Sequence, residues 1–90
     1  MQITIDIPKY DNKEGFKFNW ENDFEIKTRI EDGVIHIKAN KDGLLSFANH
    51  LLNLSQESIP SGYHFHLDQF NSLEEDSAEL IIEKKIIETK

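Results

Sequence analysis

The chain contains no cysteine among its 90 residues. This excludes a disulfide scaffold, thiolate zinc ligation and a cysteine nucleophile, and it fits a cytoplasmic compartment. Long apolar runs are missing too. Nothing approaches the ~20 consecutive apolar residues of a membrane span, and residues 1–8 lack a basic segment followed by an apolar stretch, so neither a membrane anchor nor export is expected. Positive charge is scarce: 10 Lys and Arg stand against 17 Asp and Glu, a formal charge of −7. The sequence pI near 4.9 excludes nucleic-acid binding by phosphate neutralisation and disfavours an acidic membrane surface. The four glycines, Gly15, Gly33, Gly43 and Gly62, are scattered, which leaves no phosphate-cradling loop. Repeats, low-complexity tracts and linkers are likewise absent, and the length leaves room for one domain spanning residues 1–90.

What is present is alternation. Ile3, Ile5 and Ile7 alternate with Thr4 and Asp6, the period of a strand with one buried face, and Pro8 ends it. Residues 9–15 read as a loop. Phe16, Phe18 and Trp20 then alternate with Lys17 and Asn19 as a second strand. Phe24, Ile26, Thr28 and Ile30 continue as a third, and a three-residue turn of Glu21, Asn22 and Asp23 sets Trp20 opposite Phe24 and Phe18 opposite Ile26. Asp32-Gly33 is a strong hairpin signal, because a type I′ turn needs positive φ at both central positions. Pairing outward from it puts Ile35 against Ile30, Ile37 against Thr28 and Ala39 against Ile26. The opposite face of that hairpin collects Lys27, Arg29, His36 and Lys38, a local cationic patch on an acidic chain.

Asn40 reads as a helix N-cap, with Asp42 in the first turn where the helix dipole favours an anion. Leu44, Phe47, Ala48, Leu51, Leu52 and Leu54 recur at three- and four-residue steps as one apolar stripe, expected to cover the sheet. Gln56, Glu57, Ser58 and Pro60 stop the helix. Tyr63, Phe65 and Leu67 then alternate with His64, His66 and Asp68. An acidic irregular stretch leads to a last strand from Ser77 to about Ile86, with Ala78, Leu80 and Ile82 inward and Glu79, Ile81 and Glu83 outward. Ile86 and Ile87 lie in a tail that frays or adds to an interface.

Chemistry has few candidates. His64 and His66 share a strand face with Asp68, and two imidazoles with a carboxylate are a donor set for a divalent metal. Strand neighbours on one face nevertheless lie some 6–7 Å apart with diverging side chains, so the plain reading is a hydrated outer face. No serine sits in a G-x-S-x-G elbow or in a Ser, His and acid order, and no enzyme activity or cofactor is expected. Trp20, Phe16, Phe18 and Phe24 read as core rather than as a ligand cage. Asp68, Glu74, Glu75, Asp76, Glu79 and Glu83 form an acidic stretch able to steer a basic protein partner.

The second half resembles a small family of bacterial immunity proteins assigned to polymorphic toxin systems. The likeness is carried by Asp42-Gly43-Leu44-Leu45 through Leu51-Leu52, by Gly62-Tyr63-His64-Phe65-His66-Leu67-Asp68, and by Leu73 with Ser77-Ala78-Glu79-Leu80-Ile81-Ile82-Glu83-Lys84. It covers residues 42–84; residues 1–40 share only a succession of strands. It implies a non-catalytic protein that binds and neutralises a cognate toxin in the cytoplasm of the producing cell. No residue role is carried over.

The expectation is therefore an α+β domain of about six antiparallel strands in the order β-β-β-β-α-β-β, with one amphipathic helix packed on one face. A protein partner is expected on the outer face, at His64, His66, Asp68, Glu79 and Glu83 or at Lys27, Arg29, His36 and Lys38. An unpaired sheet edge also permits a homodimer. The alternative is a divalent-metal-binding protein or small metal-dependent enzyme using His64, His66 and Asp68.

Overall fold

The computed structural model describes residues 1–85. The element order is β1 (Ile26–Glu31), β2 (Val34–Ala39), α1 (Lys41–Leu54), β3 (His64–Leu67) and β4 (Leu80–Glu83). The class is α+β with antiparallel pairing and one helix, but the described residues contain four strands rather than about six. These form two separate hairpins, β1–β2 and β3–β4, and not one sheet.

The central hairpin forms in the register that its turn dictates. Ile30 faces Ile35, Thr28 faces Ile37, Ile26 faces Ala39 and Lys27 faces Lys38. Asp32 and Gly33 take φ of 52° and 76°, the paired positive values of a type I′ turn. In the second hairpin His64 faces Glu83, Phe65 faces Ile82, His66 faces Ile81 and Leu67 faces Leu80. Residues 74–78 link the hairpins by running along the outer edge of β1. Glu74 N–H donates to Ile26 O at 2.9 Å and Ala78 N–H to Thr28 O at 3.1 Å. Thr28 N–H donates to Ser77 Oγ at 3.2 Å, and the Thr28 hydroxyl donates to Ala78 O. The last strand is shorter than the expected Ser77 to about Ile86, running over Leu80–Glu83 alone, because residues 74–78 bond β1 instead; Ile86 and Ile87 fall outside the described residues.

Residues 3–7 and 16–20 are not strands, although the turn between the second and third expected strands is present. Phe24 N–H donates to Glu21 O at 3.3 Å, and the Trp20 and Phe24 rings stack 4.3 Å apart. What is missing is the ladder, because several of the backbone groups bond elsewhere. Polar side chains of α1 and its flanks take them: Asn49 Nδ2 donates to Asp6 O at 3.1 Å, Asn53 Nδ2 to Lys17 O at 2.7 Å and Gln56 Nε2 to Pro8 O at 2.8 Å. Glu21 N–H donates to Ser46 Oγ at 2.8 Å, and Tyr10 N–H to Gln56 Oε1 at 3.1 Å. Buried backbone groups must find partners somewhere, and here a helix side supplies them in place of a neighbouring strand.

That side of α1 is largely polar, which overturns the expected orientation for Leu44, Leu51 and Leu52, while Leu54 of the expected stripe is in the core and Phe47 packs against it. Gly43, Ser46, Asn49, His50, Asn53 and Leu54 are buried, whereas Leu44 is 56% exposed and Leu51 and Leu52 are also exposed. The N-cap is as expected: Asn40 Oδ1 accepts from Gly43 N–H at 2.7 Å. It also accepts from Glu25 N–H at 3.0 Å, which fastens the helix start to the approach to β1. Gly43 permits that closeness, since a Cβ there would lie 2.4 Å from Glu25 O and 2.9 Å from Ile26 Cγ1. The core is Ile26, Leu54, Ile59, Phe65, Leu67 and Leu73, with Tyr10, Phe16, Trp20, Ala39, Phe47, Tyr63, Leu80 and Ile82 packed against it. Half of the expected aromatic row packs on the core: Phe16 and Trp20 lie against it, whereas Phe18 is 38% exposed although it stacks parallel to Trp20 at 5.9 Å and meets Phe65 edge-on at 5.5 Å.

Candidate functional site

Two outward faces carry the candidate residues. On β3–β4, the strand period turns Phe65, Leu67, Leu80 and Ile82 inward and His64, His66, Ile81 and Glu83 outward. The imidazoles of His64 and His66 lie 5.0 Å apart, centroid to centroid, at 64°. Each faces a carboxylate across the hairpin, His64 Nδ1 at 3.9 Å from Glu83 and His66 Nδ1 at 3.7 Å from Glu79. All four side chains are about half exposed, so each His–Glu contact contributes little to stability.

Asp68 does not join this face as a ligand. Its Oδ1 accepts from Phe70 N–H at 2.9 Å and Asn71 N–H at 3.1 Å, and its carbonyl accepts from Ser72 N–H at 3.1 Å and Leu73 N–H at 2.9 Å. The carboxylate thus closes the turn that follows β3. His64 Nδ1 is also 3.0 Å from Gly62 O. Among the described residues, no group of three or more His, Asp and Glu side chains is placed to hold a metal ion. The metal reading loses its geometric footing at Asp68, whose Oδ1 binds its own turn.

On β1–β2, Lys27 faces Lys38 and Arg29 faces His36, and these four side chains line one shallow concavity. Arg29 pairs with Glu31. Among the described residues, Lys27 and Lys38 have no ion-pair partner. Like charges directly opposite on a strand pair are unfavourable, and the chain nonetheless gathers them on one face while carrying −7 overall. His36 sits in this cluster, on a different hairpin from His64 and His66.

Beside these charges lie exposed apolar side chains. Ile35 is 66% exposed, and Ile30, Val34 and Ile37 join it near the tip of β1–β2; Leu44, Leu51 and Leu52 form a second patch on α1. Sequence reasoning placed all of these in the core, Val34 excepted, and Ile26 alone of the hairpin isoleucines is buried, at 1% exposed.

The residue that periodicity missed is His50. It is 0% exposed and boxed by Phe18 edge-on at 4.9 Å, Trp20 at 4.3 Å and Phe65 at 6.2 Å. Neither ring nitrogen has a hydrogen-bond partner among the described residues. Burial holds its pKa down to about 4, so the ring is neutral at pH 7. Its spacing from Ser46 and Asn53, four and three residues, was the available signal: a second stripe of helical period, polar instead of leucine-rich.

Among the described residues there is one helix, and it is not long and apolar enough to cross a membrane. A family model described as Immunity protein 32 matches residues 34–85, from β2 to just past β4. No curated protein and no solved structure matches the chain.

Proposed function

The chain belongs to the Immunity protein 32 family, and on that premise we propose that it binds a cognate toxin in the cytoplasm of the producing cell and blocks it without catalysis or cofactor. The observation that carries this reading is the family match across β2, α1, β3 and β4, which together with β1 present the charged and apolar surfaces. The whole chain, residues 1–90, acts as one binding domain. Its outward side divides into a cationic part, Lys27, Arg29, His36 and Lys38, and a part built from His64, His66, Glu79 and Glu83. Asp68 contributes by holding the turn that positions β3. A toxin surface of inverse polarity would meet both parts, and matched potentials speed association. The exposed Ile35 and Leu51 patches supply the apolar area on which tight interfaces depend.

The test is co-expression with the toxin-like product of the adjacent upstream reading frame, followed by pull-down. Rescue of growth and a stable complex are expected; a toxin that kills equally with and without this chain overturns the reading. Reversing both Glu79 and Glu83 to Lys should weaken the complex by about tenfold or more. Unchanged affinity removes the His–Glu face from the interface.

A further inference from the structure

Among the described residues, nothing pairs with one edge of β2. Asn40 N–H donates to Glu25 O at 3.1 Å, so in the observed register the pairs Lys27–Lys38 and Arg29–His36 exchange ladder hydrogen bonds. Their neighbours Thr28–Ile37 and Ile30–Ile35 turn their backbone groups away. On β1, the groups of Ile26 and Thr28 that turn away are taken by residues 74–78. On β2 the corresponding groups of Ile35 and Ile37 have no partner among the described residues. Every residue of β2 except Ala39 is exposed. One of its faces offers Ile35 and Ile37; the other offers His36 and Lys38, backed by Lys27 and Arg29 on β1.

Natural sheets blunt such edges with charge, bulges or covering loops, because a free edge accepts another strand. Here the charge is confined to one face, so the edge is selective and not blocked. We infer that β2 accepts an added strand from the protein partner, with acidic residues alternating against apolar ones: acids beside Lys38 and His36, apolar side chains beside Ile35 and Ile37. A second copy of this chain fits poorly. Antiparallel pairing of two β2 strands would bring two cationic faces together, and each copy carries −7. The inference rests on the immunity reading for the identity of the partner, and on the edge alone for its chemistry.

The test uses the full chain and a cyclised β-hairpin peptide whose free strand alternates glutamate with valine, beside a counterpart with lysine for glutamate. Saturable binding of the glutamate peptide is expected, with slowed amide exchange at Ile35 and Ile37 and little change at His36 and Lys38, which already bond β1. The lysine peptide should bind at least tenfold more weakly. I37P, which removes the outward N–H, should abolish binding. Because that variant risks misfolding, H36E/K38E provides a second arm: its preference should invert toward the lysine peptide. Equal binding of both peptides overturns the inference. Exchange protection confined to α1 or to β3–β4, or a chain that dimerises through β2 and excludes the peptide, overturns it as well. Since this experiment needs no toxin, its failure leaves the co-expression result standing, and failure of co-expression leaves this one standing.

Discussion

The two sides of α1 differ in a direction that hydrophobicity alone would invert. One side carries Gly43, Ser46, Asn49, His50 and Asn53 and is buried; the other carries Leu44, Leu51 and Leu52 and is exposed. The buried side hydrogen-bonds the backbone of residues 6–21, as through Asn53 to Lys17 O and Ser46 to Glu21 N–H. An unmet buried donor or acceptor costs about 1–3 kcal/mol, comparable with burying one leucine, at about 1.5–3 kcal/mol. Several such groups together are therefore comparable with a short leucine stripe. The lesson is that apolar spacing identifies a helix more securely than it identifies which side faces inward.

Perturbing the buried side should hurt most. His50 has a folded pKa of about 4 against an ordinary 6.5, so the unfolded chain takes up its proton first as the pH drops. Its contribution is intact above about pH 6.5, is lost progressively between 6.5 and 4, and levels off below. The loss amounts to ~3 kcal/mol. Urea titrations followed by the fluorescence of Trp20, the sole tryptophan, at pH 7 and pH 4 measure it. The His50→Leu variant should lack this component, so the difference between the two proteins isolates it.

Gly43→Ala is next. The new methyl would meet the Glu25 carbonyl at 2.4 Å, and separating α1 from the approach to β1 should cost about 2 kcal/mol in thermal or urea denaturation. Asn53→Leu keeps the side chain's bulk but strands Lys17 O and removes one of the acceptors of the Gln56 amide, Asn53 Oδ1 at 2.7 Å. A loss of about 1–2 kcal/mol should follow, with earlier amide exchange in residues 16–20. The leucine side should tolerate most. Leu44→Gln with Leu51→Gln should change stability by no more than about 0.5 kcal/mol, whereas a hydrophobic stripe at the core would lose several.

Much of the fold was legible where local chemistry decides it. Asp32-Gly33 specified both the turn and the register of β1–β2, Asn40 specified the helix start, and the alternation of His64, Phe65, His66 and Leu67 specified which side of β3 faces out. The cationic and His–Glu faces followed from the same period. Residues 3–7 and 16–20 were not legible, because alternation marks an extended chain with one apolar side and cannot say whether its hydrogen bonds go to a strand or to asparagines on a helix. Those asparagines lie more than 30 residues away, and only the tertiary fold brings them near. The turn-closing part of Asp68 was not legible either, because only the structure brings the amides of Phe70 and Asn71 onto its carboxylate.

A cysteine-free chain allows a direct measurement of the helix orientation. Ser46→Cys and Leu51→Cys each introduce the only thiol, and its reaction with a disulfide reagent at pH 8 reports access. The Leu51→Cys thiol should react nearly as fast as in the urea-unfolded protein, and the Ser46→Cys thiol at least a hundredfold more slowly, the opening free energy then exceeding about 2.7 kcal/mol. A protected thiol at position 51 together with a reactive one at 46 would mean that α1 packs by its leucines, and would contradict the structure described above.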